Sequence, residues 1–311
     1  NVRETDLAGN TSAATSDFTV TVNTTAPTIS SIVISSATGI QNNLLNVGDN
    51  VSVTATFSES VIVDNASGAP TLTLVVGDDN QTATYRSGSG GTTLVFQYTI
   101  QAGETDSNGI SMRADVLALN SGTIKDTTGN NATLTHSALT DNASYKVDTT
   151  APTANFTKAN DNVGTVRGDF TSDNTTDDTA LVLSGTNESG SSVKVYDNST
   201  ELGAATVSGT SWSYSATVAN GTTHQFNVRE TDLAGNTSAA TSNLAVTGDT
   251  TAPTANFTAA TDDIGKVQGA LTSGDTTDDT ALVLSGTNES GSSVKVYDNS
   301  TELGAATVSG T

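Results

Sequence analysis

No cysteine occurs among the 311 residues, which excludes a disulfide framework and any thiolate metal site. Histidine is almost as scarce: His136 and His224 are the only two, and no G-x-S-x-G, Walker or zinc spacing accompanies them. Both are expected to be structural, and the chain is expected not to be an enzyme. No run approaches 18 apolar residues, so direct membrane insertion through a helix is not expected. The first residues, NVRETDLAGN, carry neither the charged nor the apolar region of a signal peptide. Basic residues are few, with 11 Lys and Arg against 33 Asp and Glu for a formal charge of -22. That balance argues against nucleic acid and anionic membranes as partners. It suits either plain solubility or divalent cations, the latter if the acids sit in loops at fixed spacing.

What the chain does contain is repetition. Thr175 to Thr210 reappears unchanged as Thr276 to Thr311, Asn1 to Ser16 as Asn227 to Ser242, and Thr150 to Thr157 as Thr251 to Thr258. The period is 101 residues, so the chain is a tandem array.

Gly, Ser, Thr, Asn and Asp punctuate short stretches of alternating apolar residues, and no window holds helical spacing for long. The reading is all-β. In the complete short repeat, strands are expected at Thr153 to Thr157, Ala180 to Ser184, Ser192 to Tyr196, Thr200 to Val207, Ser211 to Thr217, His224 to Thr231 and Ser238 to Val246. Short strands at this density mark an immunoglobulin-like sandwich. Val193 and Val195 alternate with Lys194 and Tyr196, and Phe226 and Val228 with Gln225 and Asn227, as half-buried strands should. Trp212 and Tyr214 share one face and read as packing rather than as a binding platform.

Thr-Thr-Ala-Pro-Thr at Thr24 to Thr28, Thr149 to Thr153 and Thr250 to Thr254 marks the boundaries. Proline fixes φ and biases its predecessor to extended backbone, so each linker is short and stiff. The expected organisation is a C-terminal fragment of a short repeat (1–23), a longer domain (24–148), a complete short repeat (149–249) and an N-terminal fragment (250–311). The fold class is tandem immunoglobulin-like β-sandwich domains in an elongated array. In the longer domain, strands are expected at Ile29 to Ser35, Val51 to Phe57, Thr71 to Val76, Gln81 to Arg86, Thr93 to Thr99 and Ile110 to Ala114, with extended loops at Ser58 to Pro70 and Gly103 to Gly109.

The run LSGTNESGSSVKVYDNSTELGAATV, then SWSYSATVANGTTHQFNVRETDLAGNTS, then a TTAPT linker resembles the bacterial Ig-like repeats that extend giant RTX-type surface adhesins exported by type I secretion. The unit 24–148, with its TIKDTTGN run, is similar to another Ig-like repeat of that class. The resemblance implies calcium at the domain junctions, which would stiffen a chain that lacks disulfides. In such a sandwich the B–C and F–G loops return to the end where the linker enters. They would bring Glu188, Asp232 and Asn236 around Asp148, a hard-oxygen set suited to Ca²⁺. At the opposite end, Asp161, Asp169, Asp173, Asp177 and Asp178 would face Asp249 and Glu289. Asp126 and Asn130 in KDTTGN match Asp232 and Asn236 in pattern. At the first junction Asn23 replaces the acid, so weaker binding is expected there. The alternative is that DLAGN and DTTGN are only turns, with Asp accepting from backbone N–H groups.

The expected function is a structural extender of a bacterial adhesin, extracellular and at the cell surface. Calcium ions and neighbouring repeats of the same chain are its partners, and the chain is expected to be monomeric. A rival expectation is direct binding of a glycan or host protein by 24–148. A third is an accessory module of a secreted enzyme.

Overall fold

A computed structural model describes residues 1–309, so the last two residues of the segment 250–311 lie outside the described residues. Its described secondary structure consists of strands. The chain divides into two compact units. One comprises Asn1–Lys158, Leu183–Tyr214 and Phe226–Asn243; the other comprises Ala159–Val182, Ser215–Gln225 and Leu244–Thr311.

The first unit is built on a seven-stranded sheet in the order Ile29–Thr38, Asn50–Asp64, Gly91–Thr99, Asp79–Ser87, Thr71–Val76 and Leu117–Ala118, with Thr123–Lys125 also paired to Asn50–Asp64. A smaller sheet runs Leu44–Leu45, Lys146–Asp148, Thr105–Asp106. Alternation drives the layering: Val51, Val53, Ala55 and Phe57 are buried while Ser52, Thr54 and Thr56 between them are half-buried. With a side-chain period of two, one face of the strand must enter the core. Leu72, Leu94, Phe96 and Ile110 complete that core.

Residues 149–249 supply two five-stranded sheets. One runs Gly168–Phe170, Asn155–Asp161, Ala180–Thr186, Ser211–Thr217, Thr206–Ser208; the other runs Asn174–Thr176, Leu244–Gly248, Thr223–Thr231, Ser192–Asp197, Thr200–Ala204. Within the first unit, Trp212 is buried, packs at a tilt against Phe156 with ring centroids 5.7 Å apart, and donates its indole N–H to Asn155 O at 3.0 Å. Gly185 makes room for it, since a Cβ there would fall 2.7 Å from Trp212 Nε1. Tyr214 is half-buried with its hydroxyl on Leu202 O. Both aromatics are packing residues.

Four local expectations are corrected. The start of the Ser58 to Pro70 loop continues the strand as far as Asp64, because Val61 is buried and Ile62, Val63 and Asp64 pair with Lys125, Ile124 and Thr123. Ile110 to Ala114 forms isolated bridges only, at Ser111 and Met112. Thr200 to Val207 breaks at Ala205 into strands of two different sheets. Ser238 to Val246 becomes regular only from Leu244. Upstream of it, the N–H groups of Glu230 and Val228 donate to the Ser238 and Thr241 hydroxyls rather than to carbonyls, which interrupts a ladder.

Candidate functional site

The pattern Asp-x-x-Gly-Asn folds the same way three times. Asp232 Oδ1 accepts from the N–H groups of Ala234 and Asn236, and its Oδ2 from Asn236 Nδ2, each at 2.9 Å. Asp6 makes the same set with Ala8 and Asn10, and Asp126 with Thr128 and Asn130. Glycine follows at positive φ (+87°, +99° and +92° at Gly9, Gly129 and Gly235), where a side chain would be strained. The turn reading of these acids is therefore correct as local structure. It does not use up the carboxylate, which offers about four acceptor positions.

What fills the remaining position differs between the two junctions of the first unit. At the first, Asn23 Nδ2 donates to Asp126 Oδ2 at 3.0 Å and the Thr128 hydroxyl adds another bond at 2.9 Å. Asn130 Nδ2 in turn reaches Asn23 O at 3.1 Å. Burial opposes ionisation of Asp126, but the bonds from Asn130 and Thr128 outweigh it and hold the carboxyl at about 2. Asp6 likewise sits below the usual carboxylate range, chiefly through its bonds from Asn10. At the second junction Asn236 Nδ2 reaches Asp148 O at 2.8 Å, and no hydrogen-bond donor beyond Ala234 and Asn236 takes the Asp232 carboxylate among the described residues. Asp148 Oδ1 accepts from Thr150 N–H at 3.0 Å, as Asn23 Oδ1 does from Thr25 and Asp249 Oδ1 from Thr251.

The second junction also uses residues that the sequence reading did not single out. Asn42 Nδ2 donates to Leu233 O and Asn46 Nδ2 to Ala234 O, both at 2.9 Å. A Cβ on Gly235 would lie 2.4 Å from Gln41 Nε2, so glycine admits that side chain, whereas nothing lies within 4 Å of one on Gly129. The Gln-Asn-Asn run before Leu44 was the available signal.

In the second unit, Thr176 gathers part of the expected acid group. Its hydroxyl donates to Asp161 Oδ2 at 2.7 Å and accepts from Asp178 N–H, while its carbonyl accepts from Asp249 N–H. Asp161 also takes Val163 N–H, and Asp178 takes Ala180 and Asn162 N–H. Thr277, Asp262 and Asp279 repeat this geometry one period on. Asp177 lies against Gly164, Asp169 accepts from Asn160, and Asp173 from Ala245 N–H. Glu289 enters its own loop through its carbonyl, which accepts from Asn288 and Ser292. Among the described residues, no three His, Cys, Asp or Glu side chains are grouped as a metal cluster.

Glu188 is exposed, and its backbone N–H donates to Glu230. Glu230 is fully buried and was missed. Its position was legible, because the alternation of Phe226 and Val228 puts residue 230 on the inward face.

These features define an all-β protein of immunoglobulin-like repeats with acidic turns at its linkers. Residues 149–250 match the family model of the bacterial Ig-like domain. No curated protein matches the chain. Among solved structures, the fibronectin(III)-like modules of Clostridium thermocellum CbhA align at 12% identity, over 70% of this chain and 94% of that one, with a TM-score of 0.31. SGBP-B of Bacteroides ovatus, solved with a mixed-linkage heptasaccharide, aligns at 11% identity over 72% of this chain and 46% of its own, with a TM-score of 0.19. Gamma-CGTase from Alkalophilic bacillus clarkii aligns at 15% identity over 73% and 26%, with a TM-score of 0.17. Likeness at these scores carries nothing about ligands.

Proposed function

We propose that the chain is a non-catalytic spacer of an extracellular bacterial surface adhesin, with calcium stiffening the junction at Asp148. The observation that carries the calcium reading is the contrast at the two Asp-x-x-Gly-Asn turns. Asn23 places an N–H donor on Asp126, a poor setting for a cation, whereas Asp232 keeps an acceptor position beside the linker acid Asp148. Carboxylate, amide and backbone oxygens are the ligands calcium takes, and extracellular modules bind it at about 10⁻⁴ to 10⁻³ M. The non-catalytic reading draws support from the histidines, since His136 Nε2 accepts from Val116 N–H and His224 Nε2 from Ala219 N–H.

Small-angle scattering of the whole chain in excess EDTA and then in millimolar calcium tests the proposal. The maximum dimension should grow with calcium, and Asp232→Asn should abolish the growth. A profile indifferent to calcium would leave the neutral bonds of Asn42, Asn46 and Asn236 as the only fastening.

A second reading, ligand binding by 24–148, has one observation in its favour. A cleft of about 710 Å³ is lined by Gly103 to Asn108 together with Asp78, Asp79 and Asp148. Its lining holds no aromatic side chain on which a sugar could stack. Glycan-array binding that free sugar competes away would favour it over the spacer reading.

A further inference from the structure

The buried Glu230 is the one acid of the short repeat whose surroundings do not account for its charge. It lies opposite Val193 on strand Thr223–Thr231. Its Oε1 accepts from Glu188 N–H and from the Ser191 hydroxyl, each at 2.5 Å. Its Oε2 has no hydrogen-bond partner, and neither has the buried Asn187 Oδ1. The Asn187 amide cannot be turned to repair this. Nδ2 already faces Glu188 O at 2.7 Å, Ser191 Oγ at 3.3 Å and Gly209 O at 3.4 Å, and exchanging it for oxygen would set three acceptors against a fourth.

Ser191 does not resolve the imbalance either. Its hydroxyl has an acceptor in Glu188 O at 2.8 Å. One period on, Asn288 and Ser292 make the same bonds to Glu289 O, both at 2.8 Å. Ser191 has one hydroxyl proton for Glu188 O and Glu230 Oε1, and neither bond reaches Oε2. Glu230 takes part in none of the ion pairs among the described residues. A fully buried carboxylate with one oxygen unpartnered and no counter-charge is costly, and a cation held by oxygens repays that cost.

We propose that Glu230 Oε2 and Asn187 Oδ1 bind a hard metal cation, sodium or calcium, which fastens the Asn187–Ser191 loop to strand Thr223–Thr231. All the donors are oxygens, as hard cations require. The site shares no side chain with Asp148, Asp232 and Asn236, so it stands or falls separately from the junction calcium.

The test uses the whole chain, with calcium counted by equilibrium dialysis and sodium by ²³Na relaxation. Glu230→Gln retains an oxygen for Glu188 N–H and the Ser191 hydroxyl and removes the buried charge. This variant should bind one cation fewer per chain, and without metal it should melt above the metal-free parent. Asp232→Asn should leave that cation in place. If calcium alone restores the parent, the site is a calcium site; if sodium suffices, it is a monovalent one. Asn187→Asp, which adds a second carboxylate, should bind calcium at least tenfold tighter and be stabilised by it. Unchanged stoichiometry in Glu230→Gln, or no tightening in Asn187→Asp, would overturn the proposal. Loss of a cation in Asp232→Asn alone would support the junction reading and sink this one.

Discussion

At the first junction an amide, Asn23, stands where the second carries the carboxylate of Asp148, and the bonds around two otherwise alike turns are shared out differently. Asp126 accepts from Asn23, Thr128 and Asn130, while among the described residues Asp232 accepts only from within its own turn. The second junction compensates from the other side, through Asn42 and Asn46 on the carbonyls of Leu233 and Ala234. One turn motif therefore admits two closures: a donor placed on the acid, or donors placed on the backbone beside it with the acid left for a cation.

Exchanging the residues at the linkers gives the largest expected effect. Asn23→Asp removes the donor to Asp126 and sets two carboxylates together. In EDTA the melting temperature should fall by about 5 °C or more, with recovery in millimolar calcium. Asp148→Asn should do the reverse at the second junction, abolishing the calcium response. If both variants melt like the parent in both conditions, the comparison has no energetic content.

The glycines sharpen it further. Alanine at Gly129 or Gly235 incurs the left-handed backbone penalty, about 1–2 kcal/mol. At Gly235 the new methyl must also displace Gln41. Urea denaturation should show the larger loss for Gly235→Ala, and equal losses would mean that the Gln41 contact contributes nothing.

A smaller effect is expected from Asn42→Ala and Asn46→Ala. Each removes one amide-to-carbonyl bond, worth about 0.5–1.5 kcal/mol. Hydrogen exchange at the Asp232 turn should quicken in the double variant and stay unchanged at the Asp126 turn.

The smallest effect is confined to acid. Asp126 has its carboxyl lowered from the usual 3.8 to about 2, so its stabilising contribution is complete above about pH 4 and is lost as pH falls towards 2. Carboxyl-carbon NMR titration should place its midpoint near the lower value. Removing the Asn23 donor with Asn23→Ala should move that midpoint upward, and a midpoint that stays put would show that the donor does not hold the ionised form.

Much of this architecture was legible because it is local. The strand Ser211–Thr217 coincides with its expected span, and Thr71–Val76 does too, since alternation and flanking turn residues specify them. The continuation of Asn50–Asp64 past Phe57 was missed because Ser58, Glu59 and Ser60 interrupt the apolar pattern before Val61 resumes it. At the junction the acid turns were recognisable, but Thr176 was not, since a threonine gains its role only when Asp161 and Asp178 come to it.

The repeat period is written in the residue order itself, and the all-β class, the Asp-x-x-Gly-Asn turns and the Asx bonds at the linkers follow from patterns or hydrogen bonds that close within a few residues. Packing alone settles that Asn42 meets Leu233 across 191 positions, that Asn23 adds a donor to Asp126 from 103 positions away, and that Glu230 and Asn187 each bury an unpartnered oxygen. The reason is physical: a buried group's partners depend on which loops packing brings to one end of a sheet, and no local rule records that.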